Sequence, residues 1–472
     1  MAWLRPAAAQ QPLGFDAIRA AIPALLERVE PLRWQLLFPP LGMGRPWWIE
    51  RSGIDLDYHL RRATVAPPGG DHELCAVIDD IVSVGLDRAR PAWQLWYVDG
   101  LAGGRIALVL KIHHAVADGL ASVRLMEAIF SSDPSEPLPA ARGTLVDEQR
   151  PGTLKWLGML AAHNAATIMR FPNVLLRSLR TIGMIRRRNR EGRPGFAEAF
   201  AAPATRFNER IRTERRFAYV TCDMGAIRRI RSAFGVSIND VFLAICSGAI
   251  RSYLELHGEL PAESLTAVVP VAIRPPGVDV DWGNQVSTWF VSIATDVADP
   301  VERIKCLAAN TSVARAIHAE RDLWLFGDWM DYWPLFWFWG RGLPLLGAVL
   351  KRRPTYSMTV SNVPGPKNRL YLAGAPIEQF ISVGPIIYPY GLNLTGWSHM
   401  DSMVIAMQVS RDRVPDIWAL PQDEVNKLMF HDPKKMLPDT RQIPDEQLAI
   451  MLRNRETLAL LTWKPASSRH QR

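Results

Sequence analysis

The chain has 472 residues, 48% of them hydrophobic and 22% charged, which is enough for two sizeable cores and rules against wholesale disorder. A formal net charge of +8 favours anionic partners: an acidic membrane face, a phosphorylated small molecule or, least of the three, nucleic acid, because no Lys/Arg cluster interleaved with aromatics forms a nucleic-acid module. The cysteines, Cys75, Cys222, Cys246 and Cys306, are scattered without a C-x-x-C pair. They fit reduced, mostly buried thiols of a cytoplasmic protein better than a disulfide frame or a zinc site.

The opening "MAWLRPAAAQQPLGFDAIRAA" has no apolar core of the kind a signal peptide carries. Helical spacing of Phe15, Ile18, Ile22, Leu25 and Leu26 predicts a helix over 14–29. A second helix is expected over Leu74–Leu86, a buried strand over Arg105–His114, and another helix over Leu120–Phe130. Residues 131–153 shift to Pro, Ser, Gly and charge, as in a long surface loop. A long helix then runs from Leu154 to about Arg188. Its end, "RSLRTIGMIRRRNREGRPG", is basic with apolar residues between the charges. It reads either as a solvated helix end, the commoner case, or as a surface for acidic lipid headgroups.

From about Arg206 a second series begins. "FAYVTCDM", "LTAVVPVAI", "QVSTWFVSIAT", "TYSMTVSNV" and "DSMVIAMQVS" read as strands, and "IRRIRSAFG" and "VFLAICSGAIRSYLELHG" as helices. No short-period repeat occurs, which excludes solenoids and propellers. Strands interleaved with helices in two halves indicate a two-domain α/β or α+β protein. The expected division is 1–190, a linker over 191–215, a second domain over 216–425 and a charged tail over 426–472. The segment Asp322–Leu350 is rich in tryptophan (Trp324, Trp329, Trp333, Trp337, Trp339) but is interrupted by Asp328, Asp331, Pro334, Arg341 and Pro344. It falls short of a membrane span and reads as an interfacial or ligand-channel segment, or as core.

The chemistry concentrates in "LVLKIHHAVADGLASVRLM", Leu108–Met126. Side chains alternate along a strand, so His113 and His114 cannot both enter one site if the strand persists to His114. Asp118 stands where a helix must begin and can cap it; Gly119 permits a left-handed or closely approached backbone. Both histidines could simply be satisfied core residues. A metal reading fails, because adjacent histidines on opposite faces chelate poorly and no third ligand stands at a usual spacing. A general base fits better: imidazole can take a proton from a hydroxyl or thiol near neutral pH. No G-x-S-x-G elbow supplies a covalent serine, which leaves direct transfer between two bound substrates as the simpler chemistry.

"HHAVADG" matches the HHxxxDG motif of the CoA-dependent acyltransferase superfamily, and the remaining segments narrow the resemblance. "IDLDYHLR", "LDRARPAWQLWYVDGL", "PATRFNERI", "VSINDVFLAICSGAIRSYL", "VVPVAIRP" with "GNQVS", "TVSNVPGP" and "GLNLTGWSHMDSM" resemble, in order, the bacterial wax ester synthase/acyl-CoA:diacylglycerol acyltransferase family. The resemblance implies a chloramphenicol-acetyltransferase-like two-domain fold with a tunnel at the domain interface. It places the general base on His114 and supporting positions on His113, Asp118 and Gly119. It also implies an arginine beside Asp118, for which Arg33 is the first candidate and Arg274 the second. Asn239 and Asp240 either orient the catalytic region or cap the helix expected from Val241.

The implied reaction is O-acyl transfer from long-chain acyl-CoA, a co-substrate and not a bound cofactor, to diacylglycerol or a long-chain alcohol, with no metal. The implied setting is cytoplasmic, peripheral to the inner face of the plasma membrane or to lipid inclusions. Two departures stand out. "MAWLRPAAAQQPLG" replaces the family's usual opening, so the first domain is expected either to lack an edge strand or to miss upstream residues. Ala92 in Pro91-Ala92-Trp93 replaces the usual leucine. The competing expectations are a lipid-binding relative with weak turnover and a condensation-type domain, which would want a carrier protein.

Overall fold

The structure, a computed structural model, describes residues 1–4, 13–39, 46–141, 143, 145–191, 202–209, 211–273, 282–320, 322–325, 327–329, 331–332 and 354–419. Trp333, Trp337, Trp339, Arg274 and the tail over 426–472 lie outside these residues, as do parts of the expected linker.

The strands are β1 (Ala2–Leu4), β2 (Trp34–Leu37), β3 (Trp47–Glu50), β4 (Leu60–Thr64), β5 (Trp93–Asp99), β6 (Ile106–Ile112), β7 (Arg215–Asp223), β8 (Thr266–Ala272), β9 (Val286–Ser292), β10 (Met358–Pro364), β11 (Tyr371–Leu372), β12 (Ala375–Phe380), β13 (Leu392–His399) and β14 (Ser402–Ser410). The helices are α1 (Phe15–Arg28), α2 (Leu56–His59), α3 (Asp71–Ser83), α4 (Gly119–Ile129), α5 (Thr153–Arg190), α6 (Met224–Phe234), α7 (Ile238–Leu256) and α8 (Pro300–Glu320).

Two six-stranded mixed sheets form, ordered β11-β12-β1-β6-β5-β4 and β7-β14-β13-β10-β8-β9. This is the two-domain α/β fold expected, with one difference in how the chain divides. β11 and β12 lie deep in the second half of the sequence yet complete the first sheet, so the two domains exchange chain and do not separate at 191–215 alone. The short opening strand β1 is interior, pairing with β6 on one side and β12 on the other. The unusual opening therefore supplies an internal strand, and the edges of this sheet are β11 and β4.

Alternation along the strands builds three cores. One face of the first sheet (Leu95, Tyr97, Leu108) packs beneath α1, where Ile18, Ile22 and Leu25 are buried despite the internal Pro23. The outer face of the second sheet packs on α6 and α7, through residues such as Ile227, Phe242 and Leu394. The third core joins the halves. Leu74, Cys75 and Ile78 of α3 pack with Val98 and Val109 of the first sheet and Phe217, Tyr219 and Val404 of the second. Cys75, Cys222 and Cys246 are buried free thiols as expected, and Cys306 is exposed.

Asp79 stands at this junction. Its carboxylate accepts the Phe217 N–H at 2.6 Å and lies 3.8 Å from Arg216. Burial dominates and pushes its pKa up to about 6. The folded state thus holds a proton more tightly than the unfolded chain, and stability falls as pH rises from about 4 to about 6. Asp79→Asn, which stays neutral and keeps an acceptor for Phe217, is expected to raise the melting temperature at pH 7.5 and to leave it unchanged at pH 4. Equal melting shifts at both pH values would contradict this.

Candidate active site

The predicted strand ends earlier than its sequence suggests. β6 stops at Ile112, paired to Trp93, and His113 and His114 occupy the turn beyond it. Strict strand alternation therefore no longer decides where the two imidazoles point. The turn is fixed by backbone contacts from three directions. The His113 N–H donates to the carbonyl of Ala92 at 2.9 Å, and the Val116 N–H donates back to His113 at 2.9 Å. From the second half of the chain, the Gly283 N–H donates to Val116 at 2.9 Å, and the Asp118 N–H donates to Gly283 at 3.1 Å. Gly283 sits at φ 98, a left-handed region that glycine tolerates without strain. The altered residue of Pro91-Ala92-Trp93 thus acts here through its main chain, which any side chain at that position would supply.

The two imidazoles differ. His113 Nδ1 accepts the Ala115 N–H at 3.2 Å, which leaves the ring proton on Nε2. The side chain is solvent-exposed like that of its neighbour, but desolvation by the surrounding turn, with the nearby Arg88 and His114, lowers its pKa and favours the neutral ring. His114 is exposed and makes no hydrogen bond among the described residues. One histidine is thereby committed to shaping the turn, while the other presents an uncommitted imidazole.

Asp118 is 1% exposed and spends both oxygens on main-chain donors. One accepts the Ala121 N–H at 2.9 Å and caps α4; the other accepts the Gln285 N–H at 3.0 Å, in the second half of the chain. The capping reading is realised, extended by a clamp across the domains. The first-choice arginine is corrected. Arg33 lies in a turn after α1, where its guanidinium donates to Glu50 at 2.8 Å and to the Leu26 carbonyl, so it is not beside Asp118. The resemblance implied an arginine partner for Asp118, but a 2.8 Å carboxylate partner at the edge of the β2–β3 hairpin holds Arg33. Arg274 falls outside the described residues.

Gly119 opens α4 at a point where any larger residue meets Val363. An added Cβ would stand 2.8 Å from Val363 Cγ2 on β10. Its role is close approach between α4 and the "SNVPGP" segment. Gly119→Ala is expected to cost about 1–3 kcal/mol of stability through overpacking. Adding Val363→Ala should return most of that loss, and strictly additive melting shifts would contradict the contact.

A cleft of about 390 Å³ lies along this junction. Gly119 and Leu120 form one side; Asn239, Asp240, Arg315 and Asn362 contribute to the others. Its apolar wall comes from β8 through Val269 and Val271, with Trp289 of β9. Asp240 does not face the cleft as a free carboxylate. It closes a capping box with Ser237 (2.8 Å from the Ser237 N–H) at the start of α7, which begins at Ile238 and not at Val241. It also accepts the Thr311 hydroxyl at 2.5 Å and lies 3.9 Å from Arg315 of α8, tying the two helices together. Asn239 accepts from the Asn362 amide at 3.4 Å, across the cleft wall to β10. The structure thus brings Gly119, Asn239 and Asp240 to one cleft. It places His113, His114 and Asp118 on the stapled turn leading into it, and leaves Arg33 elsewhere. Gln285 and Val363 were not singled out from sequence, although "GNQVS" and "SNVPGP" contain them, and Ala92 stood out only as a departure in side-chain size, not for the carbonyl that holds the turn. Among the described residues, no group of three His, Cys, Asp or Glu side chains is placed to hold a metal.

The two sheets joined across a cleft, with a histidine turn clamped between them, define a fold shared with acyltransferases and condensation domains. The structure aligns with the wax ester synthase/diacylglycerol acyltransferase from Marinobacter aquaeolei VT8 over 91% of this chain and 93% of that one, with a TM-score of 0.61 and 22% identity. It aligns with the first condensation domain of the calcium-dependent antibiotic synthetase over 90% of each chain, with a TM-score of 0.52 and 16% identity. At those identities the likeness is one of fold.

Sequence comparison goes further. The wax ester synthase/diacylglycerol acyltransferase catalytic domain matches residues 1–242, and the WS/DGAT C-terminal domain matches residues 282–429. A Mycobacterium tuberculosis relative assigned as a diacylglycerol O-acyltransferase is 32% identical over 409 residues, covering 86% of this chain and 80% of its own length. The O-acyltransferase WSD of Acinetobacter baylyi is 31% identical over 378 residues, covering 78% of this chain and 79% of its own. The chain belongs to the wax ester synthase/diacylglycerol acyltransferase family.

Proposed function

We propose that the protein transfers a long-chain acyl group from acyl-CoA to the hydroxyl of diacylglycerol, of a long-chain alcohol, or of both, at a membrane or lipid-inclusion surface. The observation that carries this reading is the uncommitted imidazole of His114 on a turn clamped by both domains. His114 takes the proton of the acceptor hydroxyl as its oxygen attacks the thioester carbonyl. The C–S bond then breaks, and the imidazolium returns the proton to the departing CoA thiolate, giving an ester and free CoA. No enzyme-bound acyl group forms. Neutral His113, Asp118 and Gly119 hold the turn in place. Arg315, half-exposed at the cleft, offers positive charge to the phosphates of CoA. The apolar wall of β8 and β9 gives the acyl or acceptor chain a dry surface, and the tunnel expected between the domains would follow it.

The test offers purified protein a radiolabelled long-chain acyl-CoA together with equal amounts of diacylglycerol and a long-chain alcohol. Label in triacylglycerol or wax ester supports the reading, and the ratio of the two products reports acceptor preference. Label remaining in acyl-CoA with folded protein and dispersed acceptors would overturn it.

A further inference from the structure

α5 is 38 residues long and carries eight Lys or Arg with no Asp or Glu, so this one helix accounts for a charge equal to the chain's entire formal net charge of +8. At 1.5 Å per residue it extends roughly 57 Å. One side faces the protein. There Leu160, Thr167 and Val174 are buried, the Thr167 carbonyl accepts the Tyr332 hydroxyl at 2.8 Å, and the Ser178 hydroxyl accepts the Trp329 indole N–H at 3.0 Å. Arg177 binds Asp322 and Asp328, and Arg188 binds Glu320 at 2.7 Å. The described part of the Trp-rich segment thus serves to pin α5 down.

The opposite side is the unusual one. Steps of three and four residues from Leu154 to Ile182 trace a single outward line. Leu154, Leu157, Ile168, Leu175, Leu179 and Ile182 stand on it, all exposed, with alanines and Pro172 filling the positions between. Met169 and Leu176 flank the line at 80% and 46% exposure. No charge interrupts it for nearly 30 residues. Its next two steps are Arg186 and Arg190, both exposed. Among the described residues Lys155, Arg170, Arg180, Arg186 and Arg190 form no ion pair. A soluble surface helix shows the reverse pattern, with polar residues outward. No single described helix is long and apolar enough to cross a membrane, and the charge on α5 rules it out as a span.

We propose that α5 is an in-plane docking helix, which lays its outward apolar face into the headgroup–acyl boundary of an anionic lipid surface while its unpaired arginines meet the headgroups. Charge pattern alone makes a solvated basic end the commoner reading; the orientation of the apolar line favours the lipid face. The inference takes up the lipid-surface part of the proposed function. It is read by binding alone, so it fails or stands separately from the transfer reaction.

The test is co-sedimentation of the full chain with vesicles of phosphatidylcholine and phosphatidylglycerol in equal parts, against vesicles of phosphatidylcholine only. The wild type is expected to pellet with the anionic vesicles and to be released at 0.5 M NaCl. Arg180→Gln, Arg186→Gln and Arg190→Gln combined should weaken binding about 100-fold, taking a factor of about five for each charge near an anionic surface. Ile168→Ser, Leu175→Ser and Leu179→Ser combined should weaken it at least about 10-fold. All these positions are exposed, and matching melting curves confirm that the variants fold. Wild-type protein left in the supernatant overturns the proposal, as does unchanged binding by both variants. A serine variant that binds vesicles normally but changes from dimer to monomer by light scattering also overturns it, by assigning the face to a second copy.

Discussion

His114→Ala is expected to lose acyl transfer by about 10²–10⁴-fold, the usual contribution of a positioned general base, while melting within about 1 °C of the wild type. The two halves of this expectation come from the same geometry. The imidazole is exposed and makes no hydrogen bond among the described residues, so removing it empties no core and strands no buried partner. The turn that carries it is held by main-chain bonds to Ala92 and Gly283, which alanine leaves intact. His113→Ala should behave differently. It removes the acceptor for the Ala115 N–H, loosening the turn, and should lower the rate less than His114→Ala does. Circular dichroism melts beside the rate measurements separate the two effects.

Asp118→Asn is expected to cost about 3 kcal/mol of stability and at least about 10-fold in rate. The carboxylate is buried and accepts two N–H donors from opposite sides. Asparagine can accept only one of them, and its amide must then point hydrogens at the other. With the oxygen kept on Ala121, the Gln285 N–H loses its acceptor in a buried setting, the costly case for a hydrogen-bonding group. The clamp between the turn and the second domain opens, and a small displacement of a catalytic group is expensive in rate. Asp118→Ala should be worse still. A variant of normal stability and reduced rate would show that Asp118 acts on substrate and is not a positioning residue.

The histidine motif and the helix it feeds were legible because local rules set them. Asp118 at the junction of an apolar run and an amphipathic helix signals a cap, and the structure places the cap there. Five of the six strands of the second sheet were legible from their apolar, β-branched runs; β13, whose "LNLTGWSH" mixes polar residues and Gly396 into the run, was not read as a strand. Three further features were also missed. β11 and β12 join the first sheet from the far end of the chain, and their turn is Ala373-Gly374, with Ala373 at φ 48 where an asparagine or glycine would have announced a hairpin. α8 buries Arg303 and Thr311 among its apolar positions, which breaks the helical pattern that sequence reading relies on. The clamp from Asp118 to Gln285 spans 167 residues and ends on a main-chain N–H, which no side-chain pattern encodes. The choice of Arg33 failed for a related reason: charge suggests that an arginine has a partner, but only the fold decides which carboxylate reaches it.

The most direct measurement compares wild type and His114→Ala for transfer of label from a radiolabelled long-chain acyl-CoA into diacylglycerol and into a long-chain alcohol, with both proteins shown to be folded. Label in lipid product from the wild type, and at least about 100-fold less from the variant, is the result expected if His114 is the base. A folded His114→Ala protein that turns over at the wild-type rate would contradict that assignment.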